Sequence, residues 1–180
     1  MWHFRKQIRC KHIIHINGNH DKAIMEDKFF PLLQIKNGDI VETETPRVWS
    51  GVKTDGDVTA HDFFDSVSDL VYVVIDGVLF VLSHEPFESW RHKKDGSIHL
   101  HGHVHHDMDR HILNTKYKRM DVGWNGKVYS SDDIIRKLSG RLSGFHHNNK
   151  KNVKNLIRSL CNWNNRRIFV TLFKNKQKTL

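Results

Sequence analysis

Cysteine is nearly absent from this chain, which holds only Cys10 and Cys161, far apart in sequence. Two such distant thiols exclude a disulfide-stapled scaffold and a cysteine-rich zinc cluster, and they suit a reducing compartment. Long apolar runs are missing as well: no stretch approaches the ~18 residues that a membrane-spanning helix needs. The start, Met1-Trp2-His3-Phe4-Arg5-Lys6, has charges with no apolar run behind them, so no secretion leader is expected. The expectation is a soluble, cytoplasmic protein with no membrane partner. Acidic residues are missing from one region: residues 141–180 hold ten Lys or Arg and no Asp or Glu. The other nineteen basic and twenty acidic residues nearly cancel, so the net charge of +9 belongs to the tail.

What is present suits one folded domain plus an extension. A 38% hydrophobic and 10% aromatic content over 180 residues is enough to build a core. Composition shifts to Ser, Gly, His, Asn and Lys over residues 139–151, which marks a boundary. The chain therefore divides into a domain over 1–138 and a basic linker and tail over 139–180. Val153, Leu156, Ile157 and Leu160 recur at helical spacing in that tail, and residues 168–173 suit a last strand. Its positive charge fits nucleic-acid phosphates, and equally a solvated end.

Strand signals are spread along the domain. The run Ile13-Ile14-His15-Ile16 ends at Asn17-Gly18 and precedes a helix expected over 21–29. Asn37-Gly38-Asp39 separates two short apolar arms, and Asp76-Gly77 separates 70–75 from 78–82; both dipeptides predict tight hairpins. Residues 51–57 read as an exposed loop. Further strands are expected at 98–101 and 119–122, with a helix capped by Ser131-Asp132-Asp133 running to Leu138.

Fifteen histidines are many for this length, and their placement matters more than their number. Three apolar strands each end in a histidine-bearing loop: Gly18-Asn19-His20-Asp21, Ser83-His84-Glu85-Pro86 and Gly102-His103-Val104-His105. Ligands collect at strand ends in sheet-based folds, and imidazoles with an Asn carbonyl suit a borderline divalent metal. Taken singly, each motif has a plainer reading: Asp21 as a helix cap, His84 as a core histidine, the third motif as chance in a His-rich stretch. His99, His101, His106 and His111 are taken as ordinary strand or surface residues. Trp49, Trp90 and Trp124 are taken as packing residues.

In this order, at separations of 65 residues from Asn19 to His84 and 19 from His84 to His103, the motifs resemble those of the calcineurin-like metallophosphoesterases, small bacterial and phage members above all. Asp121-Val122-Gly123 and the Asp132-Asp133-Ile134 helix resemble that family's closing strand and helix, so the similarity covers roughly residues 8–138. The resemblance implies an α/β fold, a β-sandwich flanked by helices, that hydrolyses phosphomonoesters or phosphodiesters by metal-activated water. It implies Asn19, His84 and His103 as ligands of one metal of a dinuclear pair and His105 as a ligand of the other. His20 would be the catalytic histidine, with Asp21 holding its imidazole. Manganese or iron would be the cofactor, with zinc or nickel also compatible.

The family opens with Asp-x-His and Gly-Asp motifs, and this chain has neither. No aspartate precedes Asn19, so the carboxylate and bridging ligands are missing and the domain reads as truncated at its N-terminus. Asp55, Asp57, Asp107 and Asp109 do not follow strands in the required places. The expectation is a phosphoesterase that binds one metal weakly and turns over slowly if at all. The alternative is a non-catalytic remnant, or a nucleic-acid-binding protein using the basic tail.

Overall fold

The computed structural model describes residues 1–10, 12–104, 116–123, 128–141 and 169–171. The tail helix expected around Val153 to Leu160, together with Trp124, Asp107 and Asp109, lies outside the described residues. What is described is a mixed α/β structure with three sheets and few helices.

The first sheet is parallel and is built on β1 (Ile13–Ile16), which pairs with β5 (Ser66–Ser68) on one side and β10 (Phe169–Thr171) on the other. A piece of the basic tail thus adds a strand to the body, with Val170 opposite Ile14. The second sheet is antiparallel, in the order β3 (Asp39–Glu42), β2 (Phe29–Lys36), β4 (Asp57–Thr59). The third sheet runs β6 (Leu70–Ile75), β7 (Val78–Ser83), β8 (Ile98–His101), β9 (Arg119–Asp121), with β6 antiparallel to β7 and the rest parallel.

Both expected hairpins form, and their turns show why. Asn37 and Gly38 have φ of 52° and 84°, and Asp76 and Gly77 have 50° and 77°. Two successive left-handed residues match the right-handed twist of the flanking strands, and Asn-Gly and Asp-Gly tolerate that conformation best. Two expectations are corrected. The helix after Asp21 is only α2 (Lys22–Met25), because Phe29 already enters β2. Asp57 is buried at the start of β4, where the Thr54 backbone N–H and hydroxyl donate to it and Arg47 pairs with it at 2.9 Å. A helix over Trp2–Gln7, α1, was not legible in the sequence.

Two cores hold these layers. Ile16 of β1 packs with Phe80, Leu82, Ile98, Leu100 and Met120 of the third sheet and with Ile134 and Leu138 of α3 (Ser131–Leu138). Leu33, Val58 and Phe63 form a smaller cluster beside the second sheet. The first cluster positions the candidate site, because it clamps β1 against β7 and β8, whose C-terminal ends carry the three histidine loops. α3 closes that core and is capped by Ser130, whose hydroxyl accepts from the Asp133 N–H at 3.1 Å. The cap is thus one residue earlier than expected. Replacing Ser130 by Ala is expected to lower unfolding free energy by about 1 kcal/mol in urea titration; an unchanged midpoint would show that α3 does not depend on its cap.

Candidate metal centre

β1 runs into Asn17 and Gly18, and the chain turns through Asn19 and His20 before α2. The turn closes with the Asp21 N–H donating to the Gly18 carbonyl at 3.0 Å. β7 ends at Ser83, directly before His84, and the Gly102 N–H at the end of β8 donates to the His84 carbonyl at 2.9 Å. That bond fixes the second and third loops side by side.

Three donor atoms meet here. Asn19 Oδ1 lies 2.8 Å from His84 Nε2, and His84 Nε2 lies 3.2 Å from His103 Nδ1. The two imidazole rings stand nearly perpendicular, at 80°, with centroids 5.1 Å apart. Ligands bound at about 2.1 Å around one cation lie roughly 3.0–3.4 Å from one another; the His84–His103 spacing falls in that range, while the Asn19–His84 spacing is a hydrogen-bond distance that would open slightly around an ion. His103 takes a φ of 64°, a conformation rare outside glycine, and such strain concentrates at sites of function.

The Asn19 side chain is shared between the donor set and His20. Its Oδ1 faces His84, and its Nδ2 donates to His20 Nε2 at 3.4 Å, which leaves the proton of a neutral His20 ring on Nδ1. Burial holds the His84 imidazole below its ordinary pKa, and the neighbouring His103 adds to the effect, while Asp21 and Glu85 oppose it. A neutral imidazole has a lone pair to offer a metal. Among the described residues no group of three or more His, Cys, Asp or Glu side chains is placed to hold a metal ion, so the candidate donors here are two imidazoles and one amide oxygen. His105 lies outside the described residues.

Asp21 differs from expectation. It occupies the N-cap position of α2 without making a side-chain cap bond, and its carboxylate is 5% exposed. Its Oδ2 instead accepts from the Gly18 N–H at 2.8 Å and from His15 Nε2 at 3.1 Å. The expected bond from His20 is not among its described contacts. Gly18 sits where no side chain fits: a Cβ there would lie 2.9 Å from both Cε1 and Nδ1 of His84.

The sequence reading missed the buried histidines. His15, His99 and His101 are all 0% exposed. His99 is committed to structure, since its Nδ1–H donates to the Val81 carbonyl at 3.0 Å and its Nε2 accepts from the Phe87 N–H at 2.9 Å. Both nitrogens are used, and Phe87 stacks on the ring at 5.1 Å. Burial pushes the His99 pKa down to about 4. Alternation hid two of the three: in Ile98-His99-Leu100-His101 the histidines fall on the face opposite the apolar residues, which reads as exposed, yet all four positions of the strand are buried. Of the aspartates set aside as ligands, Asp55 lies in the turn before β4 and Asp57 opens that strand, paired to Arg47 and Thr54.

No protein-family model, curated protein or solved structure matches this chain.

Proposed function

We propose that this chain is a metal-dependent phosphoesterase of the metallophosphoesterase type, working with one divalent cation held by Asn19, His84 and His103. The observation that carries the reading is that Asn19 Oδ1 and His103 Nδ1 both lie within hydrogen-bond reach of His84 Nε2, in loops whose order resembles that family. When bound, the cation supplies Lewis acidity to a phosphoryl oxygen and lowers the pKa of a water.

The chain's own residues have distinct tasks in this scheme. Asn19 orients through its amide, offering oxygen to the cation and an N–H to His20. That contact turns the exposed His20 so that Nδ1–H is the ring atom left to donate a hydrogen bond to the phosphoryl or leaving oxygen, steadying the charge that develops there. A His84 kept neutral by burial stays a ligand rather than a competing acid. The donors rank nickel or zinc above manganese or iron in affinity, while the family resemblance points to the latter two as working metals. With no carboxylate among the three donors, weak binding and slow turnover are expected.

The test is hydrolysis of a chromogenic phosphodiester with added manganese, by the parent chain and by His20→Ala and His103→Ala. Metal-dependent turnover in the parent that falls at least a hundredfold in both variants supports the reading. A parent without turnover, or variants equal to it, sinks it.

A further inference from the structure

We infer that His15, buried in the strand beneath the site, is a positioning residue that holds the 18–21 turn in shape through Asp21. The inference rests on the metal reading above, in which that turn presents Asn19 to the cation.

His15 is an unusual occupant of its place. β1 is otherwise isoleucine, and its second neighbour, Ile13, is buried on the same alternation. The His15 ring is 0% exposed, lies 4.9 Å from the Phe64 ring, and its Nδ1 has no hydrogen-bond partner among the described residues. A buried nitrogen without a partner costs stability, so for folding alone an apolar side chain would serve better there. The compensating contact is on the other nitrogen: Nε2 reaches Asp21 Oδ2 at 3.1 Å. Asp21 Oδ2 also accepts from the Gly18 N–H. A carboxylate only accepts, so the geometry assigns the Nε2–H tautomer to His15.

A line of contacts therefore runs from the strand to the donors. His15 holds Asp21, Asp21 holds the Gly18 amide, and the Gly18 backbone lies against the His84 ring, closely enough that a Cβ would collide with it. Asn19, next in the chain, reaches back to His84 Nε2. Losing the Nε2–H frees Asp21 to turn outward and lets the Gly18–Asn19 backbone shift. Partners set behind ligands commonly change metal affinity by 10 to 100-fold, roughly, by this route.

The experiment compares the full chain with His15→Leu and His15→Gln, by hydrogen exchange of the Gly18 amide in metal-free protein, thermal unfolding, and manganese titration followed by the electron paramagnetic resonance of the free ion. Leucine restores an apolar strand, and glutamine keeps an N–H donor near the place of Nε2. The expected result is that His15→Leu keeps or raises the unfolding temperature, loses Gly18 amide protection, and binds manganese at least tenfold more weakly, while His15→Gln stays near the parent. Unchanged protection in His15→Leu overturns the inference. So does a His15→Leu chain that fails to fold, since the histidine would then be serving the core. If the parent binds no manganese, the metal reading falls while the Gly18 amide still decides the role of His15.

Discussion

Gly18→Ala is expected to leave the fold standing and to take the donor set apart. The backbone at Gly18 lies outside the left-handed region, so alanine is conformationally permitted there. The obstacle is local: the new Cβ would sit 2.9 Å from two atoms of the His84 ring and 3.2 Å from Asp21 Oδ2. Either the ring or the turn must yield, and each movement separates His84 Nε2 from Asn19 Oδ1, now 2.8 Å apart. A loss of manganese affinity of about tenfold or more is expected, as for changes behind a ligand. Because His84 is half-buried and has solvent to move toward, the cost in unfolding free energy is held to about 1 kcal/mol, the low end for overpacking. Metal titration beside urea unfolding separates the two effects. Equal affinity in parent and variant would mean that His84 does not lie over Gly18.

The second large effect is on stability in acid. His99 has a folded pKa of about 4 against an ordinary value of 6.5, because burial disfavours the imidazolium and nearby His101 and Arg119 add repulsion, while the Val81 carbonyl opposes the shift. Between those values the unfolded chain binds more protons than the folded one, so stability rises with pH. The contribution is complete above pH 6.5 and is lost as pH falls from 6.5 toward 4. At its limit the effect is of order 3 kcal/mol, since each pKa unit is worth about 1.4 kcal/mol. Urea unfolding free energies measured across that window should fall with acid in the parent. His99→Gln, which keeps a donor and an acceptor without a titrating ring, should show a flatter profile. An equally steep slope in both would assign the acid sensitivity to other groups.

The local features of this fold were legible because they depend on few neighbouring residues. Asn37-Gly38 and Asp76-Gly77 supply left-handed pairs, which set the hairpins β2–β3 and β6–β7. The alternating segments Ile98-His99-Leu100-His101 and Arg119-Met120-Asp121 form strands, and the polar cluster before Ile134 starts a helix. The candidate site was legible in its parts, since three apolar strands each ending in a histidine loop are a linear pattern. What was not legible was each side chain's partner. Asp21 occupied a capping position and stood next to His20, yet it bonds to His15 and to the Gly18 amide. The strand at 168–173 was expected, although its place beside β1 was not.

The sequence by itself determined the turns, most strands, the charge asymmetry of the tail and the presence of a histidine loop after each of three strands, because each follows from φ preference, side-chain period or composition. Only the tertiary structure decided that Asn19 and His103 both meet His84, that a Cβ at Gly18 would press on the His84 ring, and that His15 and His99 are buried with different partners. The physical reason is distance along the chain. Gly18 meets His84 and His99 meets Val81 because the core around Ile16, Phe80 and Leu100 brings β1, β7 and β8 together. Burial and hydrogen bonding in that core are properties of the assembled sheets, and no local pattern carries them.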